Sequence, residues 1–469
     1  MQVYQLFYKK NVVAIAAALL CSGPLRAQQS MSLKDALRIA IANYGTIKAK
    51  NSYAAASRAK IVQARLDYLP NVNLGAQLDF GTANGQNGPA YAFGPAGIAS
   101  SGLPLNDQSW NAAFGALYLS NINWDFFAFG RSKEKIMTAV REAARDDKDT
   151  HQEIFQHQVR VSAAYLNLLA ARRLTSSYRK NLERTDTLLR VILIEARHEL
   201  LAGVDSSQAN AEVSNARSTL LHAMDAEDNF NNNLIKLLGI SPQRLSIDTF
   251  FISRLPAAFS ADGDSLDTAH PVLQYYKSRI DVSDQLAKYY RTFNYPTFSL
   301  GAAIQTRGSG FGSSYTAAQS NYTDNFYQGI KPERTNYVIS LGVTWNFLQP
   351  FRTRQQVQAQ RLISKGLRDE LDLTEQQLRT ELDLSNSKIK NALADYYETP
   401  IQVKAATDAY NQKVVLYKAG LTNLVDVTQA LYALTRAETD RDISYNNVWQ
   451  ALLLKAAANG NFALFSSNL

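Results

Sequence analysis

Tyr68-Leu69-Pro70-Asn71-Val72-Asn73-Leu74-Gly75-Ala76 returns 226 residues later as Asn294-Tyr295-Pro296-Thr297-Phe298-Ser299-Leu300-Gly301-Ala302. In both copies a proline closes a helix-like segment, since it cannot continue the helix and biases the residue before it toward extended backbone. An alternating, strand-like segment follows each. Working outward, Trp124-Asp125-Phe126-Phe127 ahead of Gly130-Arg131 is echoed by Trp345-Asn346-Phe347-Leu348 ahead of Phe351-Arg352, at an offset of 221. Ala202-Gly203 is echoed by Ala419-Gly420, at 217. Three landmarks in one order at nearly one spacing mark a duplicated unit. The reading is a first repeat over 28–240, a linker over 241–268 and a second repeat over 269–469. Each repeat runs helix, strand, loop, strand, very long helix, sharp turn, helix.

The strands are expected at about 71–80, 113–127, 297–306 and 336–348. In the first, Val72, Leu74, Ala76, Leu78 and Phe80 alternate with Asn71, Asn73, Gly75, Gln77 and Asp79, the period of a strand with one apolar and one polar face. The return strand places Phe114, Ala116, Tyr118, Ile122 and Trp124 on one face and Asn121, Asn123 and Asp125 on the other. In the second repeat Phe298, Leu300, Ala302 and Ile304 answer Tyr337, Ile339, Leu341, Val343, Trp345 and Phe347, with Ser340, Gly342, Thr344 and Asn346 opposite. Strands of this length, apolar on one side and flanked by aromatics, suit a membrane β-barrel in which Trp124, Phe126, Trp345 and Phe347 sit at the membrane interface. A water-soluble sandwich or hairpin pair is the competing reading. Gly81–Trp110 and Gly308–Arg334 are rich in Gly, Ser, Asn and Pro, as exposed loops are. Four strands cannot close a barrel, because at least eight are needed and open edges are intolerable in lipid. Two copies would supply eight and three would supply twelve.

Arg131 to Ala202 spans 72 residues without Gly or Pro, about 108 Å as one helix. Tyr178, Leu182, Thr185, Leu189, Ile192 and Ala196 step along it by fours and threes, as a coiled-coil seam does. The return helix is expected over 204–238. The second repeat offers a long helix over 351–419, with Gly366 and Pro400 inside it, and a return helix over 421–458. Pro400 is expected to kink or break the long helix. Leu421, Leu424, Thr428 and Leu431 continue a three-four spacing expected to pack.

Lys9 and Lys10, an apolar run from Val12 to Leu20, and Leu25-Arg26-Ala27 read as a signal peptide over 1–27. Cys21 offers a competing lipid-carrying start, against which Leu20 stands where a lipoprotein signal needs a small residue. Removal of 1–27 takes away the one cysteine, so disulfides and thiolate metal sites are not expected. It also takes three cations and no acid, lowering the net charge from +8 to +5. That excess is spread along the chain as a solvated surface, not gathered for nucleic acid. No later apolar run approaches the roughly 20 residues of a membrane-spanning helix. A closed β-barrel is the remaining way into a bilayer.

These residues resemble the TolC family of outer-membrane efflux and secretion ducts over nearly all of the mature chain. The likeness rests on Met31-Ser32-Leu33-Lys34-Asp35-Ala36-Leu37, both strand entries, the Trp-x-x-Phe-x-x-Gly-Arg strand exit and both helical turns. Its most specific match is Tyr417-Lys418-Ala419-Gly420-Leu421-Thr422-Asn423-Leu424-Val425-Asp426-Val427, similar to the family's second periplasmic tip. The resemblance implies a mainly α fold with a membrane β-barrel part: a homotrimer, four strands per protomer, whose twelve-strand barrel is continuous with a long α-helical barrel across the periplasm. It implies passive conduction with no cofactor, an iris-like periplasmic gate, and docking of an inner-membrane pump through a periplasmic adaptor. Gly203, Val204, Gly420 and Leu421 then stand at adaptor-docking tips. Asp426, copied threefold, contributes to an acidic gate ring, with Tyr417 a gate-linking residue. Read without the family, Asp426 is an exposed first-turn aspartate favoured by the helix dipole, and each tip glycine ends a helix at little steric cost. Gln429 stands where the family's second acid would be, Thr422 where a latch arginine would be, and Gln208 and Ala209 where that arginine's polar partners would be.

No catalytic site is expected. The five histidines, His151, His157, His198, His222 and His270, show no paired metal-ligand spacing, and no phosphate loop, nucleophile elbow or zinc-protease motif occurs. Asp146, Asp147 and Asp149 read as a solvated acidic face. The rival class is a structural or adhesive surface protein that presents the two Gly-rich loops, a reading testable by deleting Gly85 to Leu105. Cargo and pump are not legible.

Overall fold

A computed structural model of the protein describes residues 30–85, 103–197, 203–256 and 265–468. The expected signal peptide, Cys21, most of the first loop and residues 198–202, the expected last residues of the first long helix, lie outside the described residues. The long elements, with the one-turn helices left unlabelled, are α1 (Leu33–Asn43), α2 (Gly45–Leu66), β1 (Asn71–Thr82), β2 (Ala112–Phe127), α3 (Arg131–Arg197), α4 (Gly203–Leu238), α5 (Pro271–Arg291), β3 (Thr297–Ser309), β4 (Arg334–Thr344), α6 (Gln349–Lys418) and α7 (Leu424–Asn459). The chain divides into two compact units. One comprises residues up to Tyr53, Asp147–Lys277 and Asp369–Leu469, and the other Ala54–Asp146 and Ser278–Arg368.

The second unit holds a single four-stranded antiparallel sheet in the order β1-β2-β3-β4, so the sandwich alternative falls. Val72, Leu74, Ala76, Leu78 and Phe80 face Ile122, Ser120, Tyr118, Ala116 and Phe114 in register. Phe298, Leu300, Ala302 and Ile304 face Val343, Leu341, Ile339 and Tyr337. The two repeats join through β2 and β3, where Ile122 partners Ala302 and Trp124 partners Leu300, with an irregularity before Phe127–Phe298. One face is therefore apolar across four strands, and in the single chain it is uncovered: Leu74 is 82% exposed and Ile339 73%. The other face is mostly polar, carrying Asn71, Asn73 and Gln77 of β1, Asn121 and Asn123 of β2, Gln305 of β3 and Asn336 of β4, with Leu117, Leu119 and Val338 among them. β1 and β4 are both open edges.

β4 ends at Thr344, four residues short of the expected end at 348. Beyond it Asn346 turns the chain, its side-chain oxygen accepting from the Leu348 amide (3.0 Å) and its carbonyl from Gln349 (3.0 Å). Trp345 and Phe347 thus lie past the strand, not on its face.

The first unit has its core where α1 meets α3, α4 and α7. Leu33, Leu37, Tyr165, Leu168, Leu234, Leu238, Trp449 and Phe465 are all buried there. Ser32 caps α1, accepting from the Asp35 amide (3.1 Å). The linker adds a parallel bridge, Met31 to Ile247, and the Tyr165 hydroxyl sits 2.8 Å from the Met31 carbonyl and 3.0 Å from Asp248 Oδ1. Burial and the Asp248 carboxylate raise the Tyr165 pKa far above its ordinary value, so it stays a neutral donor. No described helix is long and apolar enough to cross a membrane.

α3 runs 67 residues and α6 70, about 100 Å each at 1.5 Å per residue. α6 passes through Pro400 as one helix, against the expected break. Proline removes one internal hydrogen bond, and contacts in the turn just before it hold the helix to α7: the Thr399 and Ser444 hydroxyls meet at 2.9 Å in buried surroundings, and Tyr396 lies 4.5 Å from Tyr445, ring to ring.

Candidate functional site

The tip between α6 and α7 is built from its backbone upward. Lys418 ends α6, and Gly420 follows in the left-handed region (φ +70°). The Gly420 amide donates to the Tyr417 carbonyl (2.9 Å) and the Leu421 amide to that of Leu416 (2.9 Å). This pair of bonds is the Schellman ending, which satisfies carbonyls the helix leaves free. Asn423 then caps α7, its side chain accepting from the Asp426 amide at 2.9 Å. Between the caps Leu421 is 75% exposed, so it does not continue the packed row. Leu424, Thr428 and Leu431 are buried.

Asp426 is not a bare first-turn carboxylate. Its Oδ2 accepts from Lys413 Nζ and from Thr422 Oγ1, both at 2.7 Å. The hydrogen bonds from Lys413 and then Thr422, with the Lys413 charge, hold its carboxyl below the ordinary carboxylate range. Thr422 therefore ties to Asp426 within the chain. Gln429, one turn on, is exposed.

Tyr417 is buried. It packs with Leu188, Leu189 and Ile192 of α3, Ala209 and Val213 of α4, and Leu424 and Val427 of α7. Ile192 and Leu189 come from the expected coiled-coil seam. At the first tip Gly203 opens α4 and Val204 is 73% exposed. The two tips thus share one apolar cluster beneath exposed Val204, Leu421 and Val425.

In the sheet unit the helix end of the strands is ringed with aromatics. Trp124 lies 6.2 Å from Tyr68 and 6.0 Å from Phe126, Trp345 lies 4.5 Å from Phe347, and Phe127 lies 5.9 Å from Phe298. At the loop end Phe114 meets Phe80 at 4.6 Å and Phe326 at 5.1 Å. Two aromatic bands bounding an apolar face are what a membrane barrel presents at its two interfaces.

Two of the five histidines are structural. Buried His157 stacks on Tyr44 at 3.8 Å, and its Nε2–H donates to the Leu237 carbonyl (3.1 Å). His270 Nε2 lies 3.2 Å from the Ala457 carbonyl. Burial lowers the pKa of both. The expected solvated acidic face is in part engaged: Asp146 accepts from Ser57 and Arg145, and Asp149 pairs with Lys50. No group of three or more His, Cys, Asp or Glu able to hold a metal occurs among the described residues. Sequence reasoning missed Lys413, which reaches Asp426 across the tip from 13 residues away.

Residues 36–240 match the family model for outer membrane efflux proteins. No curated protein sequence matches the chain. Among solved structures, the chain is similar to the outer-membrane protein VceC of Vibrio cholerae (15% identity, 92% of this chain and 96% of that chain covered, TM-score 0.70). It is also similar to the Campylobacter jejuni outer-membrane channel CmeC (13%, 91% and 85%, 0.74). The Neisseria gonorrhoeae outer-membrane channel MtrE, described in an open state, aligns at 14% identity over 92% of this chain and 89% of that one, with TM-score 0.68. The match of residues 36–240 to the outer membrane efflux protein model and the likeness of the whole to these solved structures agree on one fold, that of the TolC-like channels of the bacterial outer membrane.

Proposed function

We propose that the protein is the exit duct of a tripartite efflux or type I secretion system. Three copies pool their sheets into a twelve-strand barrel, and cargo handed over by an inner-membrane pump passes through a water-filled interior. The observation that carries this reading is the sheet itself: one apolar face uncovered, one polar face, and two unpaired edges. Such a sheet exposes backbone groups that lipid cannot satisfy, and closure with sister copies removes both edges at once. The polar face then lines the water path, and the protein conducts instead of catalysing.

The gate in this reading lies at the tips. Asp426, Tyr417 and Gln429 are its candidates, with Asp426 held by Lys413 and Thr422 and Tyr417 anchoring the tip core. Val204 and Leu421, beside Gly203 and Gly420, give a periplasmic adaptor an exposed apolar surface to dock on. The test is recording from purified protein in planar bilayers: discrete, long-lived conducting units support the duct, and protein that inserts without conductance refutes it.

A further inference from the structure

Arg307 of β3 and Arg334 of β4 are register partners, and both are exposed. They occupy the polar face, in the rows that also hold Gln305 and Asn336, while Thr306 and Thr335 meet at 2.9 Å on the other face. They stand at the loop end of the sheet, because β3 ends at Ser309 and β4 begins at Arg334. Like charges placed opposite each other destabilise an antiparallel pair. Among the described residues no carboxylate forms an ion pair with either arginine. The Gln305 amide, with its oxygen toward Arg307, accepts from Arg307 Nη2 at 2.9 Å and Nε at 2.5 Å. That neutral acceptor steadies the guanidinium without cancelling its charge. Asp79 shares the polar face two strands away, and its Oδ1 accepts from Gln77 (2.9 Å). Glu333 adjoins Arg334 in the chain, and its backbone amide donates to the Arg307 carbonyl (2.9 Å).

We infer that Arg307 and Arg334 form an oxyanion site on the water-facing side of the sheet, which takes phosphate or carboxylate groups at the outer mouth of the duct. The inference rests on the reading that the polar face lines a lumen. With the Nε and Nη2 edge of Arg307 turned to Gln305, its Nη1 and the Arg334 guanidinium on the adjacent strand are the planar N–H donors left for the oxygens of a phosphate or carboxylate. Copied around a closed barrel they make a cationic collar, which concentrates anions at the exit and disfavours cations. Anionic cargo would be the class this mouth favours.

The probe is inorganic phosphate, added on the loop side of the full-length protein in planar bilayers and titrated calorimetrically into the same protein in detergent. The expected results are block of wild-type current by phosphate, chloride favoured over potassium, and at least about ten-fold weaker phosphate binding in the Arg307→Gln/Arg334→Gln double variant. The Arg307→Lys/Arg334→Lys variant keeps the chloride preference and loses most of the phosphate block, because ammonium lacks the planar fork. Equal phosphate binding, block and ion preference in wild type and the glutamine variant would overturn the inference. So would absent phosphate binding in wild type together with loss of the oligomer on Asp79→Asn, which would make a neighbouring copy's Asp79 the partner of Arg334. If no pore forms, the duct reading fails, and the calorimetric titration still decides whether the site exists.

Discussion

Trp345 Nε1 donates to the carbonyl of Asn294 at 3.1 Å, tying the end of β4 to the segment that enters β3. The other repeat makes the same bond, Trp124 Nε1 to the carbonyl of Tyr68 at 2.9 Å. The residues that mark the duplication in the sequence are therefore the ones that clamp each hairpin. The Tyr68 hydroxyl adds a return bond to the Phe126 carbonyl (2.8 Å). Trp345→Phe keeps the ring and deletes the donor, and is expected to destabilise the hairpin by about 0.5–1.5 kcal/mol. A lowered melting temperature of the sheet signal in circular dichroism checks it, with Trp124→Phe behaving alike.

Lys413 and Thr422 both donate to the Asp426 carboxylate within one chain. Asp426→Ala is expected to raise conductance and weaken block by multivalent cations, whereas Lys413→Met uncovers the carboxylate and strengthens that block. Unchanged currents in both variants would remove the pair from the gate. Because the folded pKa of Asp426 is depressed, its stabilising contribution is complete above the unfolded value and is lost as pH falls through the folded one. The Lys413–Asp426 pair is thus intact at neutrality and loosens as pH falls below the ordinary carboxylate value, a change that single-channel recording against pH reads directly.

Buried His157 and His270 carry a different pH signature. Burial depresses both pKa values, so below the ordinary value of 6.5 the unfolded chain binds protons that the fold does not. Stability is full above that value and declines as pH falls from it toward the folded pKa values. A thermal melt near pH 5.5 is expected below one near pH 7.5, and the His157→Gln/His270→Gln variant should show a flatter dependence.

Gly420 has open space where a Cβ would stand but a φ of +70°. Gly420→Ala is expected to cost about 1–2 kcal/mol from backbone strain alone, read as faster proteolysis at the second tip. Asn, which tolerates this region better, should cost less.

Much of the sheet was legible because period-two alternation fixes faces: Phe298–Val343 through Ile304–Tyr337 pair as the alternation requires. The tip turn was legible because Gly420 and Asn423 are local cap signals. What was not legible depends on contacts distant in sequence. Pro400 reads locally as a kink or break, and Tyr445 and Ser444 of α7 hold the turn that leads into it. Asp426 reads as a free acid until folding brings Lys413 to it. The end of β4 was overrun because Trp345 and Phe347 keep the alternation after the chain has begun to turn at Asn346.

The central claim is that one chain leaves the edges of β1 and β4 for sister copies to pair. Native mass measurement of the detergent-extracted protein tests it most directly. Three chains per particle is the predicted result, and a stable single chain that keeps its sheet would contradict it.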